Sequence, residues 1–158
     1  MCSLSNASES GEKPFYADGL RFSCNNCSAC CRFEPGLVRL SEKDLCRLAE
    51  WAGVTEEQFT LMYCRWVETG DGEKTLCLRE KSDYDCIFWK DGCTAYEARP
   101  VQCRTYPFWT GLLKSRDSWE REKKRCPGLD AGDFHSGKEI EGQLSLYEQR
   151  KPIVYPLR

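Results

Sequence analysis

The feature that most constrains this chain is a group of four cysteines within eight residues, Cys24-x2-Cys27-x2-Cys30-Cys31. Disulfide bonds rarely need such density. A two-residue gap lets a tight turn direct two sulfurs at one centre while exposing backbone N–H groups that can hydrogen-bond to thiolate. The spacing therefore predicts a metal site on this loop.

The vicinal pair, Cys30 and Cys31, needs a separate interpretation. Adjacent side chains point in different directions along an ordinary backbone, so chelation of one ion by both would be strained. We expect either that they serve two adjacent metals or that one of them lies outside the ligand set.

The chain has 12 cysteines in 158 residues, just under the ~8–10% of a short secreted disulfide scaffold. An even number suits disulfides in an oxidising compartment or thiolate ligands in a reducing one. The first ten residues have no cationic start and no apolar stretch of a secretory leader. We therefore predict a cytoplasmic protein, in which dense cysteines indicate metal more often than cross-links.

Four cysteines are expected to be bystanders. Cys2 lies in a polar tail, and Cys46, Cys64 and Cys77 lie in apolar patterns where a thiol packs like alanine. The remaining cysteines are the candidate metal ligands: Cys24, Cys27, Cys30, Cys31, Cys86, Cys93, Cys103 and Cys126.

The candidate site is all-thiolate, because the single histidine, His135, is expected to be a surface residue in a loop. Eight thiolates make two sets of four, which suit two zinc ions, two iron–sulfur clusters or a multinuclear site with bridging sulfurs. The triplet spacing and Cys126-Pro127 favour iron–sulfur slightly, since ferredoxin runs end Cys-Pro. The cofactor is thus zinc or iron, with its identity open.

Three arginines adjoin candidate ligands. Arg32, Arg104 and Arg125 could offset the negative charge of the thiolates or donate N–H···S bonds. The alternative is that they are ordinary surface arginines.

The element pattern predicts an α+β fold: a small irregular single domain with short helices and a β-hairpin, organised around the cysteine-bound metal. Residues 1–14 are expected to be a disordered tail before a domain over 15–158. Capping signals predict two successive helices, and a two-residue alternation around Gly70-Asp71-Gly72 predicts the hairpin. The predicted elements are a helix from Ser41 to Gly53, a helix after Thr55, strands at 65–68 and 75–79, a charged helix at 118–124 and a C-terminal helix through Ile140, Leu144 and Tyr147.

Composition narrows the partners. With 41% hydrophobic and 30% charged residues, and no apolar run near ~18 residues, we expect a soluble chain without a membrane segment. A net charge of −2 gives no basic excess for nucleic acid. A protein partner and the oligomeric state stay open. The sequence contains no nucleotide-binding loop, no Ser/His/Asp set and no Cys/His set, so it predicts no particular catalytic residue.

Four motifs occur in order along the chain: Cys24-x2-Cys27-x2-Cys30-Cys31, Asp85-Cys86-x6-Cys93, Tyr96-x2-Arg99-Pro100-x2-Cys103-Arg104-x-Tyr106-Pro107-Phe108 and Cys126-Pro127-Gly128. Together they resemble the YkgJ-type cysteine-cluster (CxxCxxCC) family over about residues 22 to 128.

The resemblance implies chelation of zinc or iron by the eight cysteines named above, and it does not imply a particular reaction. From the residues themselves we expect the metal to be structural or to carry electrons. Many relatives have a glycine between the second and third cysteines, where this chain has Ser28 and Ala29. A related region occurs in flagellin lysine methylases. The alternative function is therefore a metal- or cluster-dependent enzyme that modifies a protein substrate.

Overall fold

The computed structural model describes residues 11–34 and 36–156. Within them the chain is mixed helix and sheet, which confirms the α+β prediction. The predicted tail lies mostly outside the described residues, and so does Cys2. In chain order the elements are β1 Leu20–Phe22, α1 Glu42–Ala52, α2 Glu56–Tyr63, β2 Cys64–Glu68, β3 Glu73–Leu78, a 3-10 turn Tyr96–Ala98, α3 Val101–Thr105, α4 Thr110–Leu113, α5 Arg116–Lys123, β4 Leu129–His135, α6 Gly137–Gln149 and β5 Val154–Pro156.

Helices α1 and α2 begin at the predicted caps. The Ser41 hydroxyl accepts from the Asp44 N–H, and the Asp44 carboxylate accepts from the Ser41 N–H, so a capping box closes α1. Thr55 and Gln58 form the same arrangement at α2. Helix α1 ends where Gly53 adopts a left-handed φ of 69°, a conformation that glycine takes without steric cost.

The predicted hairpin is present and is extended by a third strand. Strands β2 and β3 pair antiparallel with Cys64 opposite Leu78, and β5 pairs antiparallel with the other edge of β3. Leu40 donates its N–H to the Leu76 carbonyl at 3.0 Å, which fixes the segment before α1 against the sheet. The first hydrophobic cluster packs here, formed by Leu40, Leu45, Leu48, Ala49, Phe59, Cys64, Leu76, Leu78, Phe88, Ala95 and Ala98.

A second hydrophobic cluster joins the N-terminal strand to the C-terminal half. Strands β1 and β4 pair antiparallel, with Leu20 opposite His135. His135 is therefore the last residue of a strand, and the prediction of a loop there was wrong. A two-stranded ribbon with a bulge leaves little alternation of apolar and polar residues by which the sequence could reveal it. The cluster contains Tyr16, Leu20, Phe108, Leu113, Trp119, Cys126, Leu129 and Ile140.

The charged helix α5 and the C-terminal helix α6 lie where the sequence predicts them. In the described part of the chain, no helix has the length and apolar character needed to span a membrane. The segment that carries Cys24 to Cys31, called the cysteine loop below, begins after β1 in the second cluster and leads to Val38 and Leu40 in the first.

Candidate metal centre

Six of the eight predicted ligands line one cavity of about 110 Å³. They come from the cysteine loop, from the segment after β3 and from α3, so the fold brings distant parts of the sequence together. The lining cysteines are Cys24, Cys30, Cys31, Cys86, Cys93 and Cys103.

The vicinal sulfurs do not diverge as expected from an ordinary backbone. Cys30 Sγ and Cys31 Sγ lie 3.7 Å apart. Two thiolates on one tetrahedral zinc, with bonds of about 2.3 Å, are separated by about 3.8 Å. The spacing of this pair is therefore that of two ligands on one ion.

The backbone of the loop turns sharply just before this pair. Asn26 and Ser28 have positive φ values of 57° and 65°, and the Cys31 N–H donates to the Ser28 carbonyl at 2.9 Å. Left-handed residues turn the chain sharply, and glycine adopts them most easily. Ser28 thus occupies a conformation that explains why a glycine suits this part of the loop.

The segment after β3 is joined to the loop by its backbone. The Cys86 N–H donates to the Cys31 carbonyl at 2.7 Å. Cys93 then forms an antiparallel bridge with Trp89, and the Trp89 N–H donates to the Cys86 carbonyl at 2.8 Å. This folded-back turn places Cys86 and Cys93 on the same cavity.

Cys103 reaches the cavity from α3. Its helix is held by Asp44, whose Oδ1 accepts from the Val101 N–H at 3.0 Å. Burial raises the pKa of Cys103, and the charges of Cys86, Cys30 and Cys93 raise it further. All four of these cysteines line the same cavity.

Protonation differs among the cavity thiols. The hydrogen bond with Cys31 lowers the pKa of Cys30 to about 7, while the same bond raises the pKa of Cys31. Burial raises the pKa of Cys86 to about 11. Because metals bind thiolate, occupation of the cavity must displace protons and will be stronger at higher pH.

Cys27 and Cys126 lie outside the cavity lining. Burial raises the pKa of Cys126, and the charge of Cys27 adds to that rise. Tyr106, which lines the cavity and donates its hydroxyl to Glu122 Oε1 at 2.7 Å, also lies within hydrogen-bonding reach of Cys126. Gly128 allows the segment after Cys126 to pack closely against Ser23, because a Cβ at position 128 would overlap the Ser23 carbonyl oxygen.

The donor chemistry fits zinc or iron, since thiol sulfur is the ligand that both accept in all-cysteine sites. As the side chains lie, no three Cys, His, Asp or Glu groups within 11–34 and 36–156 are arranged to hold a metal ion. The eleven cysteines of these ranges are free thiols.

The predicted bystanders lie away from the cavity lining. Cys64 and Cys77 are buried, with 3% and 0% of their surface exposed. Cys46 is exposed on α1, with its sulfur 3.9 Å from Glu50 Oε1. His135 places Nε2 2.9 Å from the Phe22 carbonyl oxygen and packs its ring against Phe108.

Positive charge near the thiols comes from Arg99, which is not among the three arginines that the sequence analysis considered for offsetting thiolate charge. Arg99 lines the cavity, and its charge opposes the burial that raises the pKa of Cys93 and Cys103. Arg125 instead pairs with Glu34 at 3.4 Å and with Glu122 at 3.8 Å. Adjacency to Cys126 thus does not direct the Arg125 side chain to the cavity, because the direction of a long side chain depends on tertiary packing.

Comparison with protein families finds one match over residues 23–127, to the CxxCxxCC family, described as "Putative zinc- or iron-chelating domain". No solved structure matches the chain. The matched range holds all eight candidate ligands and all three parts of the chain whose cysteines line the cavity. The chain therefore belongs to the CxxCxxCC family.

Proposed function

We propose that this protein binds zinc or iron through the thiolates of Cys24, Cys27, Cys30, Cys31, Cys86, Cys93, Cys103 and Cys126. The observation that carries the proposal is the convergence of six of these cysteines, from three separate parts of the chain, on one cavity. Chance burial of cysteines would not select the family-pattern residues and leave Cys46, Cys64 and Cys77 outside.

Three features of the cavity suit its thiols to metal binding. The pair Cys30 and Cys31 has the sulfur spacing of two ligands on one ion, and one member of the pair ionises near neutral pH. Arg99 contributes a positive charge at the cavity wall that partly balances additional thiolates. These features support capture of a cation that replaces the thiol protons.

Cys27 and Cys126 supply thiolates beside the cavity rather than in it. We assign them to a second, adjacent centre or to bridging positions, in keeping with two sets of four sulfurs. The charges of eight thiolates favour a site that holds more than one metal, because each set of four thiolates with a divalent ion keeps a net charge of −2.

The proposed role is structural or electron-transferring. The cysteine loop connects the two hydrophobic clusters, so a metal on this loop would fix one cluster against the other. The alternative, a metal-dependent enzyme acting on a protein substrate, stays a prediction.

Metal analysis of anaerobically purified full-length protein tests the proposal. We expect stoichiometric zinc in a colourless protein, or iron with absorbance near ~400 nm from thiolate-bound cluster. Cys103→Ser should lose metal, since it replaces a cavity sulfur by a poor ligand. The matched control, Cys46→Ser, should retain it. Equal metal content in both variants, or none in wild-type protein from cells supplied with zinc and iron, would refute the proposal.

A further inference from the structure

An ion pair lies between two of the cavity cysteines. Arg32 follows Cys31 directly, and Asp85 directly precedes Cys86. Arg32 Nε lies 3.0 Å from both carboxylate oxygens of Asp85. The Asp85 side chain is only 4% exposed and that of Arg32 is 30% exposed, so the pair is largely shielded from water.

The same guanidinium also binds the turn that carries Cys93. Its central carbon lies 3.8 Å from the centre of the Trp89 ring, a distance at which a cation is attracted to the aromatic face. Trp89 in turn is bridged to Cys93. Arg32 therefore connects the cysteine loop to both cysteines of the segment after β3.

Charge balance alone does not account for this arrangement. The positive charge of Arg32 is already matched by the negative charge of Asp85. A buried carboxylate beside a group of thiols opposes their ionisation to thiolates. Arg99 already supplies a positive charge that acts on Cys93 and Cys103. What the Arg32–Asp85 pair adds is a fixed distance between two ligand-bearing backbones, alongside the single 2.7 Å bond from the Cys86 N–H to the Cys31 carbonyl.

We propose that Arg32 and Asp85 are positioning residues for the metal centre: their ion pair, packed on Trp89, sets Cys31 against Cys86 so that both sulfurs can bind the same metal. This inference rests on the proposed function. It assigns to the pair a role in metal affinity that differs from a general contribution to folding.

Zinc affinity of the full-length protein, measured by competition with a chromophoric chelator, tests the inference. Arg32→Met and Asp85→Asn should weaken zinc binding by about 10–100-fold, the usual cost of losing an outer contact to a ligand. Arg32→Lys should recover part of the affinity, because it keeps the charge beside Asp85. Asp130→Asn is the matched control, since it breaks the Lys123–Asp130 pair of 2.9 Å away from the cavity.

Two further measurements separate positioning from stability. Replacing both partners, as Arg32→Met with Asp85→Leu, leaves no uncompensated charge and should restore the melting temperature of the folded chain. We expect zinc affinity to stay low in this double variant, and the thiolate-to-metal charge-transfer band of the Co²⁺-loaded protein to be weaker. Wild-type affinity in the single variants, or its full return in the double variant, would overturn the inference. A wild-type chain that binds no zinc or iron would instead overturn the proposed function.

Discussion

At the scale of single residues, Cys64 illustrates how a cysteine that is not a predicted ligand still affects stability. It is 3% exposed in the first hydrophobic cluster. Burial raises its pKa to about 12, with the charge of Arg79 opposing and that of Cys77 adding to the rise. Its thiol therefore stays protonated in the folded chain at pH values where the unfolded chain has already ionised.

This difference predicts a loss of stability in alkali. A pKa that is higher in the folded state contributes stability that is complete below the unfolded value, near 9, and is lost as pH rises toward about 12. At ~1.4 kcal/mol per pKa unit, Cys64 should account for about 2 kcal/mol of the fall in unfolding free energy between about pH 8 and about pH 10.5. Urea unfolding of Cys64→Ala at both pH values should show a smaller fall than wild type.

Cys46→Ala is the control for this measurement, because its thiol is exposed. It should leave most of the wild-type pH dependence in place. An identical alkaline fall in wild type and Cys64→Ala would show that the buried thiol does not ionise on unfolding.

The cysteine spacing indicated which thiols lie near one another better than it indicated how their sulfurs are arranged. The spacing of cysteines indicated which sulfurs belong together, and six of the eight line one cavity. It did not predict that the Cys30 and Cys31 sulfurs lie 3.7 Å apart, because that distance depends on the torsions of the two residues and not on their spacing in the sequence. Nor did it single out the Arg32–Asp85 pair, whose partners are 53 positions apart.

At the scale of elements, the Asp44 side chain connects α1 to α3, two helices that lie far apart in the sequence. Its side chain is fully buried and accepts hydrogen bonds from the Ser41 N–H and hydroxyl, from Arg47 and from the Val101 N–H. The same carboxylate thus caps α1 and holds the first residue of α3, which carries Cys103.

We expect Asp44→Asn to destabilise the fold by about 3 kcal/mol, because a buried amide cannot accept from all four donors and leaves some of them unpaired. Thr55→Ala removes the comparable but exposed cap of α2 and should cost about 1 kcal/mol. Thermal and urea unfolding of both variants would measure the difference. Equal costs would mean that Asp44 acts as a local cap only.

Elements with local signals were predictable and the others were not. Capping boxes and a helical period identified α1, α2 and α6, and a two-residue alternation identified β2 and β3. In contrast, β1, β5, α3 and α4 have three to five residues each. Segments this short have little intrinsic preference, and tertiary pairing decides their structure.

At the scale of the whole molecule, the cysteine loop runs between two hydrophobic clusters. The first is formed around α1, α2 and the three-stranded sheet, and the second around β1, β4 and α6. Each has its own fully buried side chains, such as Phe59 in the first and Trp119 in the second. The loop itself contributes exposed cysteines at 24, 27 and 30, so hydrophobic burial does little to hold it.

Removal of metal should therefore affect the loop before the clusters. Under the proposed function, a chelator eliminates the bonds that join residues 23–31 to 86–93, whereas α1 and α6 keep the apolar contacts that bury Leu48 and Ile140. Hydrogen exchange with and without chelator tests this expectation. The N–H groups of Cys31 and Cys86, which donate to the carbonyls of Ser28 and Cys31, should exchange faster without metal. Both helices should retain their protection. Uniform loss of protection would mean that folding of both clusters requires metal, as in zinc fingers. Unchanged exchange throughout would mean that no metal holds the loop.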